Sequence, residues 1–83
     1  MNVMFEVYYS SPRDLPRENR ITQAVGEFGG RLDFLEEPNP GDAMKSICLT
    51  YVFPNRAKAE LAAEYLRKLG EYMEGPQDYP RDI

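Results

Sequence analysis

The chain predicts an α+β fold, a four-stranded antiparallel sheet with two helices on one of its faces. Residues 2–9 and 45–53 alternate their side chains with the period of a strand. Residues 15–28 and 56–69 instead repeat apolar side chains with the period of a helix. Each helical stretch is apolar along one stripe only, so each needs one sheet face to cover it.

The first strand reads Asn2-Val3-Met4-Phe5-Glu6-Val7-Tyr8-Tyr9, placing Val3, Phe5, Val7 and Tyr9 on one side and Met4, Glu6 and Tyr8 on the other. Ser10-Ser11-Pro12 ends it. Pro16 suits the first turn of a helix, where its missing N–H costs nothing. Ile21, Ala24, Val25 and Phe28 then recur at helical spacing until Gly29-Gly30 stops the helix. Arg31 to Glu37 forms a shorter strand, closed by the turn formers Pro38-Asn39-Pro40-Gly41-Asp42.

Lys45 to Phe53 is the most strand-like stretch, with Ile47, Leu49, Tyr51 and Phe53 alternating against Cys48, Thr50 and Val52. Asn55 is placed to cap the second helix, whose apolar positions are Ala57, Leu61, Ala62, Tyr65, Leu66 and Leu69, ending at Gly70. Glu71-Tyr72-Met73-Glu74 adds a short last strand before Gly75-Pro76, and residues 77–83 read as a mobile tail. Residues 1–76 are therefore expected to form one domain, because 83 residues cannot be divided into two halves that each hold a core. The expected core is Phe5, Val7, Val25, Phe28, Ile47, Leu49, Leu61, Tyr65 and Leu69.

The order strand, helix, strand, strand, helix, strand over residues 2–75 resembles the ferredoxin-like α/β plait. The resemblance is one of pattern and implies a fold; it carries no activity.

Composition narrows the classes of function. With 14 acidic and 10 basic residues the formal charge is −4, which speaks against nucleic acid or anionic lipid as partner. RNA recognition by the third strand would need a glycine and stacking rings where Ile47 and Leu49 stand. No apolar run is long enough to span a bilayer, and the first residues lack the basic start of a secretory signal. The chain has no histidine and a single cysteine, so it offers no histidine-based catalysis, no intrachain disulfide and no cysteine zinc site. The expectation is a cytoplasmic protein without metal or cofactor.

Two surfaces stand out. Arg13, Arg17 and Arg20 recur around the start of the first helix beside Ser10 and Ser11, where guanidinium groups and helix N–H groups converge to offer an anion site. Asp14 and Glu18 are interleaved and oppose it by pairing with the arginines. The second surface is the sheet face turned away from the helices, where Met4, Tyr8, Cys48, Thr50, Val52 and Leu35 are expected with only Glu6 charged among them. That face is expected to pair with a second copy or a protein partner, or to be covered by the tail through Tyr72, Met73 and Tyr79. The leading expectation is a non-enzymatic binding or regulatory module, a homodimer through the open face. The alternative is a small dimeric α+β-barrel enzyme or small-molecule binder with a pocket lined by Tyr8, Tyr51 and Tyr65.

Overall fold

A computed structural model describes residues 2–43 and 45–79. The chain runs β1 (Val3–Ser10), α1 (Leu15–Glu27), β2 (Arg31–Glu36), β3 (Ser46–Phe53), α2 (Arg56–Lys68) and β4 (Tyr72–Asp78). The strands form one antiparallel sheet in the order β2-β3-β1-β4, so one strand lies between each pair that a helix joins. Both helices contribute to a single core with Val3, Phe5, Val7 and Tyr9 of β1 and Ile47, Leu49, Tyr51 and Phe53 of β3, so both lie on one face.

Local chemistry sets the helix ends. Asp14 caps α1 by accepting from the Arg17 N–H at 3.1 Å, and Asn55 caps α2 by accepting from the Lys58 N–H at 2.9 Å. Gly29 has φ of +87°, the left-handed conformation that ends α1. At Gly30 the chain passes so close to the core that a Cβ would lie 2.5 Å from the Phe53 ring.

Three features differ from the sequence expectation. The first is the face of α2. Its buried residues are Ala59, Ala62, Ala63 and Leu66, whereas Leu61 is 57 %, Tyr65 45 % and Leu69 58 % exposed. Phe5, Tyr51 and Phe53 are fully buried beneath the helices, the Tyr51 and Phe53 ring centroids lying 5.9 and 5.0 Å from that of Phe5. These rings fill the space between the layers, and a close-packed interior then has room for alanine. Phe28 is half-buried against the core rather than within it.

The second difference is a bulge. Leu32 pairs with Tyr51 but Phe34 pairs with Thr50, so Asp33 is an extra residue in β2. It reverses the alternation beyond it. Leu35 packs on the core instead of lying on the open face, and Phe34 takes the outward place.

The third is β4, which does not stop at Gly75-Pro76 but continues to Asp78. An extra residue between the Glu6–Glu74 and Met4–Gln77 pairs is accommodated at Gly75, whose φ is +105° and whose Cβ would sit 3.0 Å from that of Phe5. From α2, Arg67 donates to the Gly75 carbonyl at 2.8 Å and Arg56 to the Asp78 carboxylate at 2.9 Å. Gln77 and Asp78 thus belong to the sheet. Residues 80–83 of the expected tail lie outside the described residues.

Exposure predicts how three substitutions differ. Leu49→Ala should cost about 2–5 kcal/mol, because Leu49 is fully buried. Leu61→Ala should cost less than about 1 kcal/mol. Ala63→Leu should destabilise by about 1–3 kcal/mol through overpacking against the rings. Urea denaturation of the three variants checks this ranking, and a Leu61→Ala loss equal to that of Leu49→Ala would contradict it.

Candidate binding face

No strand or helix covers the sheet face opposite the helices among the described residues. Cross-strand register lays its side chains out in three rows. Glu36, Cys48, Tyr8 and Tyr72 form the first, Phe34, Thr50, Glu6 and Glu74 the second, and Arg31, Val52, Met4 and Gln77 the third. Of the residues expected here, Met4, Cys48, Thr50 and Val52 form a floor no more than 7 % exposed, and Tyr8 is half-buried. The groups that reach solvent stand at the edges, with Phe34 54 % and Tyr72 64 % exposed.

Tyr79 closes one end of this face. Its backbone N–H donates to the Asn2 carbonyl at 3.0 Å, while its hydroxyl donates to Asp33 on the opposite edge strand. The side chain therefore crosses β1 and β3 at the end where Met4 and Val52 lie. The other end is open.

At that open end the chemistry centres on Glu6. The Tyr8 hydroxyl donates to its Oε1 at 3.0 Å, and the Cys48 thiol approaches its Oε2 at 3.7 Å. Burial, reinforced by this hydrogen bond, raises the pKa of the Tyr8 phenol. Burial, followed by the Glu6 charge, also raises that of the Cys48 thiol. Cys48 is thus protonated at neutral pH and is a poor nucleophile. Glu74 stands directly across from Glu6 on β4, so two carboxylates oppose each other on the same face. Like charges in this position destabilise a sheet. Beside them the Tyr8 and Tyr72 rings, 6.1 Å apart and tilted by 54°, border an open groove of about 460 Å³ that Ser10, Ser46 and Glu74 also line.

Two of the three arginines of the expected anion site, Arg13 and Arg17, have partners of their own. Arg13 donates to Glu18 from Nε at 3.1 Å and from its terminal nitrogen at 2.6 Å, and Tyr9 donates to the same carboxylate. Arg17 lies over the Tyr9 ring at 4.9 Å and binds Glu71 with two nitrogens, at 2.8 and 3.2 Å. Asp14 takes the helix cap, the Ser11 N–H donates to the Lys45 carbonyl at 2.8 Å, Ser10 ends β1, and Arg20 borders a groove between the helices. The stripe holds α1 against β1 and the start of β4.

The three tyrosines of the alternative pocket do not meet. Tyr51 is fully buried with its hydroxyl 2.8 Å from that of Thr22, and burial pushes its pKa up to about 12. Tyr8 lies on the other sheet face, and Tyr65 stands half-exposed beside the groove between the helices, its ring 6.1 Å from that of Phe28. Sequence reasoning did not place Phe34 or Glu74 on the open face and gave Tyr72 only as a cover for it, because a bulge decides the orientation of Phe34 and pairing with β1 decides that of Tyr72 and Glu74.

The Arg13 guanidinium, together with Tyr9, holds the Glu18 carboxyl below its ordinary pKa despite burial. A depressed folded-state pKa adds stability above the unfolded value of about 4.3, and that stability is lost as pH falls through the lower folded value. Glu18→Gln should therefore lose roughly 1.5 kcal/mol at pH 7, at the low end for charged hydrogen bonds because Arg13 is partly solvated. The gap to wild type should close below about pH 4. Denaturation across that range checks it, and a gap independent of pH would contradict it.

Set beside known protein families and curated proteins, the sequence matches none of them.

Proposed function

We propose that this chain is a non-enzymatic binding module of the ferredoxin-like plait type, which takes a basic side chain of a protein partner on its open sheet face. The strand order β2-β3-β1-β4, with each helix joining strands that have one strand between them, supports the plait. A cytoplasmic setting suits the single protonated thiol.

The observation that carries the binding reading is the opposition of Glu6 and Glu74 beside the exposed Tyr72 ring. The free fold gains nothing from two facing carboxylates, whereas a guanidinium or ammonium group set between them would be attracted by both. The same cation would stack on Tyr8 and Tyr72, whose rings attract positive charge. A net charge of −4 draws a basic partner toward the surface. This chemistry favours a foreign partner over a second copy on this face, since Glu6, Glu36 and Glu74 all point from it and Arg31 is the one cation in the three rows.

Hexa-arginine is a suitable probe. Titrated into labelled protein and followed by NMR, it should shift the Tyr8, Tyr72 and Glu74 amides and weaken with salt. Glu74→Gln should reduce this binding several-fold while stabilising the free fold by about 0.2–1 kcal/mol. Shifts spread evenly over all acidic residues, or a Glu74→Gln variant less stable than wild type, would count against the site.

A further inference from the structure

We infer that α2 is a self-association surface, on which two copies pack their Leu61, Tyr65 and Leu69 side chains across a two-fold axis. The three residues are four apart, so they form a single ridge spanning about 12 Å of helix. Each is roughly half in solvent, while the inner face of the same helix is already filled by Ala59, Ala62, Ala63 and Leu66. No rotation of α2 can bury both faces in one copy. A continuous ridge of large apolar groups on a surface marks an interface.

The occupant follows from geometry and charge. A ridge of residues spaced by four fits the groove beside an identical ridge, with helices crossing at about −50°. Beside Leu69 and Tyr65 the ridge borders an open groove of about 350 Å³ between the two helices, lined by Ile21 and Ala24 of α1 together with Arg20, Glu27 and Glu71. A two-fold axis passing beside Tyr65 brings Leu61 next to the partner's Leu69 and the reverse, so every apolar group has an apolar neighbour. The flank of the ridge carries Glu64 and Lys68, paired within the chain at 3.6 Å and both mostly exposed. When two such helices run antiparallel, Glu64 faces the partner's Lys68 and Lys68 faces the partner's Glu64. The surface is thus complementary to itself in shape and in charge. The ridge is short, which sets the association at the weak end of specific interfaces.

Sedimentation velocity from low micromolar to millimolar concentration should show the mass rising from 9.6 kDa toward twice that value. Tyr65→Asp should hold the chain monomeric with an unchanged far-ultraviolet spectrum, since the side chain is exposed. Glu64→Lys and Lys68→Glu should each weaken self-association several-fold, because like charges then meet across the axis. An equimolar mixture of those two variants should associate better than either alone, which an unfolded variant would not do. A wild-type chain that stays monomeric throughout would overturn the inference. So would association that ignores these charges, or a dimer broken by Tyr72→Glu on the open face and not by Tyr65→Asp.

Discussion

Three aromatic rings, those of Phe5, Tyr51 and Phe53, occupy the space between the sheet and the helices, and most of the molecule's surface chemistry depends on them. They are fully buried and in contact as a group, so little height remains above them. Where α2 crosses this layer it presents small side chains, three alanines and one leucine. Its larger apolar residues Leu61, Tyr65 and Leu69 are then left about half-exposed. The same rings explain Gly30, where any side chain would collide with Phe53. One packing constraint thus decides how α1 ends and which side of α2 is exposed.

Charge plays the complementary part. Arg13 and Arg17 bind Glu18 and Glu71, Arg67 binds the middle of β4 and Arg56 its end, so these guanidinium groups hold elements of the fold together. Bidentate arginine pairs that are partly shielded from water fix geometry better than lone surface pairs. The Glu6–Glu74 opposition departs from this economy. The ion pairs elsewhere in the fold set opposite charges together, whereas here two carboxylates face each other beside an exposed ring. Local rules tend to be broken where function requires it.

How much of this was legible in the sequence follows from periodicity and its limits. Strict alternation in residues 2–9 and 45–53 identified β1 and β3, and a glycine after each apolar helical run located both helix ends, so five elements lie within one residue of expectation. The face of α2 was legible only in part: Ala62 and Leu66 of the expected stripe are buried, but Ala59 and Ala63 join them in place of Leu61, Tyr65 and Leu69, because both sets follow the 3.6-residue repeat. A hydrophobic scale favours the larger residues, yet the volume left by the aromatic rings selects the smaller. Asp33 was equally opaque, since one inserted residue exchanges the faces of Phe34 and Leu35 without altering composition. In β4 the Gly75-Pro76 pair reads as a stop, whereas arginines reaching over from α2 hold the strand through it. The site lies where the last two of these effects meet. Met4, Tyr8, Cys48, Thr50 and Val52 were legible on the face as its floor, while Phe34, Tyr72 and Glu74, which give it its chemistry, were not.

The two proposed surfaces lie on opposite sides of the molecule, and this separation has a mechanical consequence. The open sheet face points away from α2, so a dimer formed through the helices would leave both open faces accessible and directed outward. Each face by itself offers one groove and two carboxylates, a small basis for affinity. A pair of faces held by one dimer converts the second contact with a repetitive basic partner into an intramolecular event, and avidity rises without any new contact. Weak self-association would then make that avidity depend on protein concentration, since the second face is present only in the dimer. The packing constraint in the core, by leaving Leu61, Tyr65 and Leu69 about half-exposed, would in this way set the strength of binding on the other side of the sheet.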